Sequence, residues 1–403
     1  MKEVLVLGAG YAGLKAVRNL QKQAGDFHIT LVDKNNYHYE ATELHEVASG
    51  SQPKEKISYL ITDVINPKKV TFIQDEVLKV TPEAKIAELK NTGVISYDYV
   101  VISLGFCSET FGISGAKENA LEMVNVETAE NVHRHILKMM TKYRETKDAN
   151  YLRLVICGAG FTGIELAGAF VDEKKKYAEI AGVSPDQIEI ICLEAATRIL
   201  PMFNDALAQH GVDLLKKLGV NLMLGSMIKE IKPGEVVYTR GSEADALRYS
   251  IFAETIIWTT GVSGSPVMAQ SGFDEHRGRV VVKKDLRDPK YDNVYVIGDV
   301  SALIEPETNR PYPTTAQIAT RMGAHVAKNL GHQLKGEPLE DFNYKSLGTV
   351  ASVGNTRAFG LVGKNAIKGY PASFVKKSIM NKSLVDIGGL KELLAKGRFD
   401  LYH

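Results

Sequence analysis

Two short stretches of this chain carry residue types suited to holding phosphates. Gly8-Ala-Gly-Tyr-Ala-Gly13 and Gly158-Ala-Gly-Phe-Thr-Gly163 each space three glycines as G-x-G-x-x-G. In such a turn the first glycine (Gly8, Gly158) permits the tight bend. The second (Gly10, Gly160) lets backbone approach a pyrophosphate, and the third (Gly13, Gly163) lets helix and strand pack closely. A helix follows the turn, and its N-terminus supplies unpaired N–H groups and a positive dipole that suit an anion. Each turn is followed by an acid at the end of an apolar run: Asp33 after Ile29-Thr-Leu-Val32, and Glu194 after Ile188 to Leu193. A carboxylate at that distance accepts hydrogen bonds from a ribose. Asp33, inside Asp-Lys-Asn-Asn, would also suit a plain surface turn. Glu194 favours a free 2′-hydroxyl, hence NAD over NADP, and nearby Arg198 is the one feature pointing the other way.

The elements that must position these groups repeat in the same order. Val4 to Leu7 reads as a buried parallel strand, followed by a helix from Leu14 to about Gln23 that stops at Gly25. Val70–Ile73 and Val77–Val80 read as short strands. Tyr97 to Gly105 is a further buried strand ending in glycine, mirrored by Glu254 to Gly261. The paired landmarks lie 150 residues apart (8 and 158), 161 apart (33 and 194) and 156 apart (105 and 261). Asn293 to Asp299 returns as a strand ending Gly-Asp, with Asp299 at a carboxyl end where open α/β sheets bind ligands. A helix then starts after Pro313, with Thr314 and Gln317 at capping-box spacing, and runs to about Leu330 with Gly331 as its stop. The expected fold is α/β with two Rossmann-like dinucleotide-binding units. Residues 1–110 and 265–330 would form one, 111–264 the other, and 331–403 a C-terminal segment.

Composition narrows the function. The 403 residues are 44% hydrophobic and 24% charged with net charge +1, so no basic field points to nucleic acid. No apolar run reaches the ~18–20 residues of a membrane helix. The first strand begins close to Met1 and leaves no room for a signal peptide, which predicts a cytoplasmic protein or one on a membrane face reached from the cytoplasm. His38 and His45, in the polar and aromatic stretch Asn36 to His45, read as surface or packing residues, because no cysteine or nearby carboxylate set completes a metal site. Residues 368–403 hold seven Lys/Arg against Asp386, Glu392 and Asp400. There Leu390, Leu393 and Leu394 share one helical face, which suits a helix resting on an anionic membrane. Packing on the chain itself or on a dimer mate is the alternative.

Two dinucleotide sites in one chain suggest electron transfer between a nicotinamide and a flavin. The helix after Pro313 would aim its positive end at reduced flavin, with Gln317 able to donate hydrogen bonds. Cys107, Cys157 and Cys192 form no C-x-x-C pair, and Cys157 and Cys192 fall in buried strands. Without a thiol relay the electrons would leave directly to a diffusible acceptor, and a basic amphipathic tail favours one in the bilayer.

The chain resembles the type II NADH dehydrogenases, single-subunit NADH:quinone oxidoreductases that pump no protons, along essentially its whole length. The carriers are both Gly-rich turns, Asn36-Tyr-His-Tyr39, Glu165, Gly-Asp299, Thr314-Thr-Ala-Gln-Ile-Ala319, and the tail around Lys376 and Gly388-Gly389. The resemblance implies FAD in the first unit and NADH in the second. FAD would touch Gly8, Gly10, Tyr11, Ala12, Gly13, Asp33, Lys34, Val77, Gly105, Asp299, Ala316, Gln317 and Lys376. NADH would touch Gly158, Gly160, Phe161, Thr162, Gly163, Glu194 and Gly261. Gln317 and Ile379 would line a quinone pocket, and Gln317, Lys376 and Glu165 would serve catalysis. A monotopic C-terminal anchor and a homodimer are also implied. Two departures stand out: Ala169 replaces a glutamate common in the family, and Arg321 replaces a glutamine. A soluble NADH oxidase, a sulfide:quinone reductase-like enzyme and an NADH-sensing flavoprotein acting through dimerisation are the rivals.

Overall fold

A computed structural model describes residues 1–241 and 247–399. Asp400, one of the three acids counted in the tail, lies outside the described residues. Two five-stranded parallel sheets dominate. The first runs in the order Val294–Val296, Tyr99–Ile102, Lys2–Leu7, Phe27–Asp33, Val70–Gln74. The second runs Leu121–Glu122, Thr255–Trp258, Arg153–Cys157, Glu189–Leu193, Val220–Met223. Their inner strands are near-continuous Val, Ile and Leu because helices or loops cover both faces. In each sheet the order reverses beside the strand that feeds the Gly-rich turn, which opens a crevice at the carboxyl ends.

Each unit also inserts a three-stranded antiparallel sheet before its glycine-ended strand: 77–96 in the first, 227–252 in the second. Only the Val77 strand was legible in sequence. The helix Tyr11–Leu20 crosses the helix Ala316–Lys335 at close range, since a Cβ on Gly323 would stand 2.1 Å from the Ala12 carbonyl oxygen.

Three helix boundaries differ from expectation. The first helix ends at Leu20 with Gln21 as its cap, well before Gly25. The helix after Pro313 passes through Gly331 and ends at Gly336, whose φ of +71° is the left-handed turn a C-terminal glycine supplies. Gly331 serves packing instead: a Cβ there would meet the Gln23 amide oxygen at 2.1 Å. The same helix is capped by Thr315, whose side chain accepts from the Ile318 N–H at 3.2 Å, and not by Thr314.

After that helix the chain forms an antiparallel sheet (Gly348–Ser352, Ala358–Val362, Asn365–Lys368), then the helices Gly369–Ser383 and Leu390–Lys396 joined by a wider turn. No helix among the described residues is long and apolar enough to cross a membrane. Two of the tail's cations, Lys376 and Arg398, turn inward, while Lys382 and Lys391 make exposed surface pairs. Lys376 pairs with Glu165, Lys382 with Asp386, Lys391 with Asp63 and Arg398 with Glu46. Apolar side chains face outward as well: Leu390 and Leu394 are 69% and 79% exposed, and Phe374 and Phe399 are also exposed. Leu393, expected on the same face, is half-buried.

Candidate functional site: two nucleotide clefts and a buried ion pair

Both Gly-rich turns have the same construction. Gly8 and Gly158 hold φ of +98° and +106°, a region costly for any side chain. A Cβ on Gly13 would stand 1.9 Å from the Gly8 carbonyl oxygen, and one on Gly163 would stand 1.9 Å from that of Gly158. A Cβ on Gly10 or Gly160 would meet nothing within 4 Å. Open space therefore lies only at the glycine beside which a phosphate would pass.

The acids sit beneath these turns. Ala9 N–H donates to Asp33 Oδ2 at 2.7 Å, and Ala159 N–H donates to Glu194 Oε2 at 2.8 Å. The second oxygen of each accepts from the amide two residues on, Asn35 at 2.8 Å and Ala196 at 2.9 Å. A carboxylate accepts about four hydrogen bonds, so both retain capacity for ribose hydroxyls. Burial raises the Asp33 pKa, opposed by these amides. Arg198 is occupied with Asp205 at 2.7 Å and with the Phe203 carbonyl.

Sequence reading missed the braces of both turns. Ser103 Oγ donates to the carbonyls of Leu7 and Gly8, each at 2.9 Å. Thr259 Oγ1 lies 2.9 Å from the Cys157 carbonyl and 3.2 Å from that of Gly158. Each hydroxyl stands two residues before the landmark glycines 105 and 261, a coincidence visible in the sequence.

The first cleft encloses about 410 Å³. Gly8, Gly10, Tyr11, Ala12, Asp33, Lys34, Val77, Gly105 and Asp299 line it, with Gly13 close behind. Burial pushes the Asp299 carboxyl up to about 6, with Arg279 pulling it back. Ala319 lines this cleft, whereas Ala316, Gln317 and Lys376 do not. Gln317 Oε1 instead accepts from Tyr344 OH at 2.6 Å and from Leu347 N–H at 3.0 Å. In the second unit Phe161 opens its helix edge-on to Phe203, and Thr162 is exposed. Gly261 differs from Gly105: it lies under the Phe111 ring, which would be 2.8 Å from a Cβ there.

A separate cavity of about 390 Å³ lies among residues 43–52, the helix Phe161–Ala181, residues 352–356 and the helix Gly369–Ser383. Lys376 lines it and pairs with the buried Glu165 at 2.8 Å. Ser352 donates to Glu165 through its N–H (3.1 Å) and its hydroxyl (3.0 Å). Burial opposes charge on Glu165, but Lys376 and His45 overcome it and hold the carboxyl below its usual range. Burial likewise opposes charge on Lys376, and Glu165 and Glu43 more than restore it. Ala169 lines the cavity with only a methyl group. Met380 lines it too, whereas Ile379, one residue or about 100° around the helix, is 43% exposed on the outer side.

Both histidines are buried, not surface residues. His38 Nδ1 is 2.8 Å from the Ala9 carbonyl oxygen, and burial lowers its pKa to about 4. His45 does have carboxylates close by, contrary to the sequence reading. Its ligand atoms and those of Glu43 and Glu46 lie within 4.8 Å of one another. Arg398 and Lys376 bring positive charge into the same cavity, which opposes a metal cation. All three cysteines are free thiols. Cys157 and Cys192 are core residues in adjacent strands, and Cys107 lines the first cleft with its sulfur 3.2 Å from Ser263 Oγ. No second thiol lines that cleft.

The model of the pyridine nucleotide-disulphide oxidoreductase family matches residues 2–323. Proteins named type II NADH:quinone oxidoreductase from Staphylococcus saprophyticus and Staphylococcus aureus are each 42% identical to the chain, with 99% of both sequences covered. Among solved structures, NDH2 from Plasmodium falciparum in complex with NADH superposes with a TM-score of 0.86 at 17% identity, over 98% of this chain and 97% of that one. The sulfide:quinone oxidoreductase of Aquifex aeolicus shares the fold at a TM-score of 0.78 and 21% identity, over 100% and 96%. With the matched family model, the full-length relatives and the duplicated clefts in agreement, the chain belongs to the pyridine nucleotide-disulphide oxidoreductases and, within them, to the type II NADH:quinone oxidoreductases.

Proposed function

We propose that the protein oxidises NADH and reduces a membrane quinone, with FAD held in the first cleft and NADH in the second. The observation that carries this reading is the duplicated turn-and-acid construction, open only at Gly10 and Gly160. Asp33 would take the FAD ribose and Glu194 the NADH ribose, while the helix N-termini at Tyr11 and Phe161 would hold the pyrophosphates. When bound, FAD supplies a hydride acceptor that releases electrons to a quinone. Residues 1–110 with 265–330 would form the flavin unit, 111–264 the nicotinamide unit, and 331–403 the tail.

The cavity beside Lys376 is the proposed quinone site. The paired Lys376 ammonium would donate to a quinone carbonyl oxygen, and Glu165 would keep that ammonium charged and aimed. The exposed Leu390, Leu394 and Phe399 would rest the protein on the cytoplasmic face of the membrane, as a homodimer. No ion-translocating step is assigned to any residue.

Anaerobic titration tests the reading. NADH should bleach the flavin absorbance, and a menaquinone analogue should restore it without oxygen. Bleaching without recovery would reject the quinone half. A colourless protein would reject the first cleft as a flavin site.

A further inference from the structure

Glu43 enters none of the roles above. It lies on the wall of the Lys376 cavity and is 4% exposed. Its Oε1 accepts from Thr42 Oγ1 at 3.2 Å, while Oε2 has no hydrogen-bond donor among the described residues. Arg398 Nη1 stands 3.9 Å from Oε2, but that guanidinium is bonded to both oxygens of Glu46. Lys376 is taken by Glu165. Each of these two cations thus has its own carboxylate, and Glu43 is a third acid beside two matched pairs. An unmatched buried carboxylate is stable only when protonated. Burial and the neighbouring Glu46 charge push its carboxyl well above the usual range, against Lys376 and Arg398. Burial lowers the pKa of His45 and so favours its neutral form. Elsewhere in the cavity lining Asp172 pairs with Arg357 and Glu173 with Lys176, and Lys377 is buried.

The overall reaction is NADH + H⁺ + quinone → NAD⁺ + quinol. The hydride carries two electrons and one proton, so one further proton must be drawn from water. We propose that the Glu43 carboxyl holds that proton and delivers it to the quinone. Its O–H bond breaks as a quinol O–H bond forms, and water entering the cavity returns the proton to the carboxylate. This rests on the cavity being the quinone site.

The test uses the flavin-loaded full chain and the variants Glu43→Gln and Glu43→Asp. In resting protein at pH 7, the wild-type minus Glu43→Gln infrared difference spectrum should show the C=O band of one protonated carboxyl, since the Glu40 carboxyl, raised to about 7, contributes equally to both. Quinone reduction with a menaquinone analogue should fall at least tenfold in Glu43→Gln and lose its alkaline limb, while flavin bleaching by NADH keeps its rate. Glu43→Asp should regain part of the rate with a displaced alkaline limb, which a purely structural role would not produce. It also serves as the test if Glu43→Gln fails to fold. A difference spectrum with no carboxyl band, or an alkaline limb that neither variant moves, would overturn the role of Glu43 alone. Absence of quinone reduction in wild type would overturn the functional reading beneath it, and the delivery step with it.

Discussion

Adding one methyl group at Gly10 separates folding from cofactor binding. Gly10 has φ −71°, which alanine adopts freely, and its Cβ would meet nothing within 4 Å. Gly10 is the helix N-cap, where exchange for alanine costs about 1 kcal/mol at most. The methyl would occupy the path of a pyrophosphate. Displacing the phosphate from two N–H donors forfeits two hydrogen bonds to a charged group, each worth about 1.5–3 kcal/mol. At about 1.4 kcal/mol per tenfold, Gly10→Ala should weaken FAD binding by about 10²-fold or more. Gly160→Ala makes the same change in the other turn and should raise the KM for NADH while the protein stays yellow. Gly13→Ala is the contrasting control. Its Cβ would stand 1.9 Å from the Gly8 carbonyl oxygen and 2.3 Å from Ser103 Oγ, so it should destabilise the fold by about 1–3 kcal/mol or more. Flavin content on purification, flavin titration of the apoprotein, thermal melts and NADH kinetics measure all three. Normal flavin affinity in Gly10→Ala would refute the assignment of the first cleft. Loss of flavin from Gly160→Ala, with the NADH response intact in what remains, would mean the two clefts have been exchanged.

Other perturbations follow from the buried groups and the tail. Lys376→Met leaves Glu165 buried without its partner and should cost about 3–5 kcal/mol near neutral pH, read from denaturant midpoints, with much less loss once low pH neutralises Glu165. A variant equally destabilised at every pH would count against the pair. Burial raises the Glu40 carboxyl to about 7, above its usual 4.5. Between those values the folded chain binds the extra proton, so wild-type stability should fall as pH rises from 4.5 to 7 and level off beyond. Relative to Glu40→Gln that decline should total about 3 kcal/mol, and parallel stability profiles for the two proteins would contradict it. Replacing Leu390 and Leu394 together with aspartate should abolish co-sedimentation with anionic liposomes while leaving NADH-driven flavin bleaching intact, since each leucine buries about 1.5–3 kcal/mol of apolar surface. Undiminished liposome binding would show that the tail is not the contact.

The parts of this fold legible in sequence are those governed by local backbone constraints. The tight turn needs Gly8 and Gly158, close packing needs Gly13 and Gly163, and the acids follow at a length fixed by one helix and one strand. The hidden parts depend on contacts between distant residues. Nothing near Gly331 says that Gln23 will lie against it and that the helix will continue. Thr314 and Thr315 are equally good caps by composition, and only the chain's entry direction selects Thr315. The antiparallel sheet at 348–368 was missed because its strands are only four or five residues long and two of them contain glycine. The tail's net charge read as an outward feature because its partners, Asp63, Glu46 and Glu165, come from three remote segments. Glu43 beside His45 was in plain view, but its missing partner is a property of the cavity and not of the sequence.

The helix Gly369–Ser383 has two occupations at once. Ser373, Lys376 and Met380 form a wall of the cavity, while Phe374 and Ile379 look away from it. The turn that follows is tied down by Arg18 and Lys15, which donate to the carbonyls of Ile387 and Asp386. Such a helix is a floor and not a tether. If its outer side lies on lipid, the depth of the cavity is set by the width of one rigid helix, about 10 Å. An oily substrate would then step from the bilayer to Lys376 without crossing open water.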